Sequence, residues 1–131
     1  MRLAALMMIP LLLAVPAATQ AKKDRLTDEQ RLTKVLDGMA PGKPRSCIRL
    51  RDAHGPDAYG DTLIFRVSAR EVYKTEGKGC GGRESDAFIT KTYGSDLCRG
   101  DVVRRADLLS GFETGFCTVG AFTPYTRPKA N

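Results

Sequence analysis

The chain has no tryptophan and a single histidine, His54. One imidazole excludes the paired-histidine metal sites and leaves no recognisable histidine partner for a nucleophile. There is no Cys-x-x-Cys either: Cys47, Cys80, Cys98 and Cys117 stand 33, 18 and 19 positions apart. Zinc ribbons and thioredoxin-type redox motifs need the close spacing, so neither a metal nor a cofactor is expected. Long hydrophobic runs are missing too. The longest, Leu3 to Val15, is interrupted by Pro10 and falls short of the roughly 20 residues that span a bilayer. The glycines at 77, 79, 81 and 82 open no helix and lack the lysine or hydroxyl spacing of a phosphate loop. They read instead as backbone that turns sharply near Cys80.

What the first 21 residues do contain is export chemistry. Arg2 precedes the apolar run, and Thr19-Gln20-Ala21 places small residues where a signal peptidase cuts. Residues 1–21 are expected to be a signal peptide cleaved after Ala21, with Val15-Pro16-Ala17 as the alternative site. The mature chain, 22–131, is then periplasmic or secreted, has no transmembrane segment, and is long enough for one domain. Four cysteines in an exported chain read as two disulfides.

Thr62-Leu63-Ile64-Phe65-Arg66-Val67 organises the domain. Leu63, Phe65 and Val67 share one face at period two, a half-buried strand, and Ile64 on the other face predicts that this side is partly covered as well. Upstream, Thr27 with Gln30 forms a capping box, followed by Leu32, Val35, Leu36 and Met39 on one stripe. This predicts an amphipathic helix of about twelve residues, ended by Gly38, Pro41 and Gly42, that lies as a lid on the β-domain. Further strands are expected at 46–51, from Glu71 onward, at 87–93, at 101–105 and at 116–122. Asp52 to Asp61, containing Gly55-Pro56 and Gly60, is expected to be a loop that holds a solvated His54, and Arg49, Arg51 and Arg66 would lie together if the first strand pairs with the central one. Short strands between glycine-bearing turns favour a mainly β fold. The expected architecture is a small antiparallel, partly closed β-barrel of five or six strands with one N-terminal helix.

Charge is uneven. Residues 22–51 carry nine Lys or Arg against four Asp or Glu, whereas residues 52–131 carry eleven of each. Such a basic end keeps a small protein dissolved or steers it to an anionic surface. Arg49, Arg51, Arg66 and Tyr73 are the candidate binding residues, for an anionic envelope polymer or another envelope protein. Nucleic acid is not an expected partner of an exported chain. Carboxylate pairs, Asp57 with Asp61 and Glu84 with Asp86, leave a small envelope hydrolase as one alternative. Acidic residues in glycine-rich loops are more commonly turn formers. A structural or stability factor of the envelope is the other alternative. The favoured function is a non-catalytic binding or interaction module.

Four cysteines allow three pairings, and strand topology by itself leans to nested bonds, Cys80 with Cys98 and Cys47 with Cys117. A resemblance argues otherwise. Gly42-Lys43-Pro44, Ser46-Cys47-Ile48, Leu50-Arg51-Asp52, Leu97-Cys98 with Asp101 and Val103, and Val119-Gly120 with Phe122 and Pro124-Tyr125-Thr126 resemble a family of small exported proteins from sphingomonad-type Gram-negative bacteria. The family is uncharacterised. The resemblance implies export to the periplasm but no catalytic or binding residue. Its members keep cysteines chiefly at the positions matching Cys47 and Cys98, which implies the crossed pattern Cys47–Cys98 and Cys80–Cys117. Here Lys74-Thr75-Glu76 follows Tyr73 where the family carries Asn-Arg-Pro.

Overall fold

A computed structural model describes residues 25–129, so the expected signal peptide lies outside the described residues. One helix, α1 (Asp28–Leu36), precedes nine strands: β1 (Ala40–Pro41), β2 (Cys47–Arg49), β3 (His54–Tyr59), β4 (Thr62–Ser68), β5 (Glu71–Lys78), β6 (Asp86–Thr90), β7 (Asp96–Cys98), β8 (Val102–Asp107) and β9 (Glu113–Thr126). Six strands form an antiparallel wall in the order β3-β4-β5-β9-β8-β6, with β1 paired to the far end of β9. The wall curls into a nearly closed barrel, as the strand pattern predicts.

The central strand is where the periodicity places it. Leu63 and Phe65 point inward with Phe122 and Val119 of β9, and all four are buried. Phe65 and Phe122 meet edge to face with ring centroids 5.9 Å apart. Phe122 reaches that face because β9 changes register: Thr75 pairs with Phe122 but Gly77 pairs with Val119. The extra residue is a β-bulge, and without it Phe122 would point away from the core. Gly120 sits at the bulge, where a Cβ would lie 2.5 Å from the Glu76 carbonyl oxygen.

A second small sheet, β2 with β7, closes one end. Cys47 lies opposite Cys98 and is bonded to it. Ile48 and Leu97 beside them are buried in the core cluster. The second disulfide, Cys80–Cys117, ties the segment after β5 to β9 and fills the core with two buried cysteines. The crossed pairing implied by the family resemblance is therefore the observed one. The nested pairing is excluded.

Two expectations are corrected. Residues 54–59 form a strand, not a loop. Pro56 tolerates this because β3 is an edge strand and the ladder with β4 is bulged between His54 and Asp57. Tyr59 and Thr62 pair across the Gly60-Asp61 turn. In addition, the first predicted strand stops at Arg49 and turns through a 3-10 segment at Leu50–Asp52, and it pairs with β7 rather than with β4.

The helix is nine residues long, shorter than its stripe, because Asp37 adopts an extended conformation and Gly38 takes φ 69°. Its capping box is complete: the Gln30 N–H donates to the Thr27 hydroxyl and the Thr27 N–H donates to the Gln30 side chain. The helix packs against β3. At one end Arg31 covers the ring of Tyr59, an outward residue of β3. At the other, Arg127 donates to the Asp37 carbonyl at 2.8 Å. On β4 and β5, Ile64 and Val72 are buried although they face away from the barrel core. Leu32, Val35, Leu36 and Met39 are half-buried on this face, so the lid is real but shallow.

Candidate functional site

The wall begins at β3 and ends at β6, and no pairing joins the two among the described residues. Between these edges runs a groove of about 1030 Å³. Pro56, Asp57, Ala58 and Tyr59 line it from β3, and Asp86 and Phe88 from β6. Leu26, Asp28 and Arg31 overhang it from the start of the helix, and Gly82, Arg83 and Glu84 close its near end. Ala58 and Phe88 also pack on the barrel core, so the groove opens onto the interior rather than onto a flat surface.

Most charges in the groove are already matched. Asp57 accepts from Arg66 Nε at 2.9 Å, and its hydrogen bond holds the Arg66 guanidinium above its ordinary pKa. Asp28 pairs with Arg31 one turn along the helix, which holds the Asp28 carboxyl below the usual carboxylate range. Glu84 faces Arg25 across 3.8 Å in an exposed pair. Asp61, expected as a partner of Asp57, instead accepts the Gly81 N–H at 3.0 Å.

Asp86 differs. Its side chain is 1% exposed and Oδ2 accepts from Arg105 Nη1 at 3.3 Å and from the Arg83 N–H at 3.0 Å. Oδ1 has no partner. Arg105, 14% exposed, reaches Asp86 by folding beneath Gly115, where a Cβ would stand 2.6 Å from its guanidinium. Arg105 Nε and, on the other side of the groove, Arg31 Nε also lack partners among the described residues. Buried polar atoms are nearly always hydrogen-bonded to protein or to ordered water, so this acceptor and donor beside the groove are open to a solvent or ligand atom.

The four candidate binding residues are not gathered in one place. Arg49 and Tyr73 share a smaller cleft of about 450 Å³ between the β2–β7 ribbon and β5. Arg45, which the sequence reading missed, joins them: its guanidinium lies 5.6 Å from the centre of the Tyr73 ring and Nη1 donates to the Tyr73 hydroxyl at 3.3 Å. Asp52, Glu71 and Asp96 line the same cleft, so two arginines face three carboxylates and the anionic-polymer expectation finds no concentrated positive charge there. Arg51 is 73% exposed beside Asp52, and Arg66 lies on the outer wall against Asp57. The signal for Asp86 was present in the sequence. It is in phase with Phe88 at period two, which turns a carboxylate inward.

Among the described residues no group of three His, Cys, Asp or Glu side chains could hold a metal ion, and no helix is long and apolar enough to cross a membrane. His54 is exposed at the start of β3, opposite Arg66. Comparison with protein-family models, curated proteins and solved structures finds no match.

Proposed function

We propose that this chain is an exported, non-catalytic binding module that holds an envelope component or protein in the groove between β3 and β6. One observation carries the reading: a groove of about 1030 Å³ opens onto the barrel interior and is flanked by Asp86, whose buried Oδ1 is unmatched. Concave sites with an apolar floor and a few converging polar atoms are the usual form of a binding site. The apolar run at Leu3–Val15, the small residues before Lys22 and the resemblance to an exported family support export.

The test is retention of envelope proteins and glycans by the oxidised mature domain, residues 22–131. The expected result is a ligand held by the wild type, released by Phe88→Glu, and still held when Arg49 and Arg51 are reversed to Glu. Release by the arginine reversals with no effect of Phe88→Glu would move the site to the Arg45–Arg49–Tyr73 cleft and contradict the reading. A second reading, hydrolysis of envelope glycan, is favoured by one fact: Asp57, Glu84 and Asp86 line the same groove. It predicts cleavage of cell-wall glycan that is lost in Asp57→Asn or Glu84→Gln.

A further inference from the structure

We infer that the occupant of this groove is an extended polypeptide segment that adds as a strand to β6. The inference rests on the binding-module reading and names its partner class. The barrel stays open because its two edges are unlike. On β3, Pro56 has no N–H and the ladder is bulged at His54/Asp57, so this edge offers a neighbouring strand a broken row of donors. The β6 edge has neither a proline nor a bulge, and its one inward charge, Asp86, stands at the end of the strand and is paired with Arg105. Asp86–Thr90 contains no proline or glycine, pairs through all five residues with β8, and has no strand on its other side among the described residues, although the Asp86 N–H already donates to the Arg83 carbonyl at 3.0 Å. Proline and bulges blunt an exposed edge, as on β3; a regular edge is a template for another chain.

The side chains around that edge suit a peptide better than a sugar. Asp86 Oδ1 is a buried acceptor open to an N–H, and Arg31 Nε across the groove is a buried donor open to a carbonyl, neither of them partnered among the described residues. A peptide strand carries both groups at every residue. Phe88, Pro56 and Ala58 supply an apolar floor for its alternate side chains. Of the two aromatic rings lining the groove, Tyr59 is covered by Arg31, 5.6 Å from its centre, which leaves Phe88 alone to stack on a sugar. Five residues of β6 span about 17 Å, enough to pair with a segment of four to six residues.

The experiment selects ten-residue random peptides displayed on phage against the oxidised mature domain, then measures the chosen peptides as synthetic ligands. Backbone N-methylation at alternate residues should weaken binding about tenfold or more in one of the two phases and little in the other. Bound peptide should slow amide exchange within Asp86–Thr90, and Asp86→Asn, which turns an NH2 toward the groove, should also weaken it about tenfold. N-methylation alters only the peptide, so its result stands even where a protein variant folds poorly. Equal affinity for both methylation phases, unchanged exchange in β6, or no peptide enriched over the starting library would each overturn strand addition. A glycan retained by the groove together with any of these results would leave the binding-module reading standing. A groove that retains nothing from the envelope and no peptide would remove both.

Discussion

Ile64 and Ile89 both point outward from the barrel wall, yet Ile64 is wholly buried and Ile89 is 42% exposed. The difference divides the molecule. On one side α1 packs against β3, and the outward Ile64 of β4 and Val72 of β5 are as buried as the core itself. Over β9, β8 and β6 the outer face is bare: Ile89, Arg104 and Phe116 lie side by side in register, and Phe116 is 66% exposed. The two halves share one interior and one strand geometry. What separates them is the cover on one outer face, and the seam where the halves fail to meet is the groove assigned to binding.

The sharpest break of the comparison uses two phenylalanines of the same strand. Phe122 is fully buried against Phe65, and Phe122→Ala should cost about 3–5 kcal/mol in chemical denaturation. Phe116→Ala, on the bare face, should stay within about 0.5 kcal/mol of wild type. Equal losses would show that the outer face of β9 is covered after all. The helix gives a smaller effect. Leu36 is only half-buried, so Leu36→Ala should cost about 1–2 kcal/mol, less than a core leucine, and removal of residues 22–40 should lower the melting temperature. A truncated domain that melts with the full one would mean that the stripe does not stabilise the covered half.

The smallest effect is electrostatic and also belongs to the covered half. Glu76 is hydrogen-bonded first by Lys74 and also by the Thr62 hydroxyl, which hold its carboxyl below the ordinary range against an opposing effect of burial. A carboxyl with a depressed folded-state pKa contributes stability that is complete above the unfolded value and is lost as pH falls through the folded one. Stability should therefore decline on acidification below about pH 5, and Glu76→Gln should flatten part of that decline. Its side chain is 64% exposed, which limits the contribution to less than about 1 kcal/mol. An unchanged acid limb in Glu76→Gln would remove this pair from the account.

Much of the covered half was legible in the sequence. Period-two burial identified β4, Ile64 on its far face signalled a covering element, and the capping box of Thr27 and Gln30 marked where the helix starts. The seam was not legible, because its cause is tertiary. Gly55, Pro56 and Gly60 are loop signals in a one-dimensional reading, and only an edge position lets Pro56 stand in a strand without an unmet donor. The same limit applies to the binding residues. Arg49, Arg51 and Arg66 look like one basic face only if β2 pairs with β4. Once β2 pairs with β7 they separate, and a carboxylate, Asp86, becomes the informative charge.

The openness of the seam is the claim on which the groove depends, and native-state amide exchange of the oxidised mature domain tests it directly. In β4 and β5, hydrogen-bonded on both edges, the amides of Leu63, Ile64, Phe65 and Val72 should exchange only through global unfolding. In β6 protection should alternate, with amides donated to β8 slow and those aimed at the seam faster by orders of magnitude. Uniform slow exchange along Asp86–Thr90 would show that the second edge of β6 is already paired, and would contradict the open barrel.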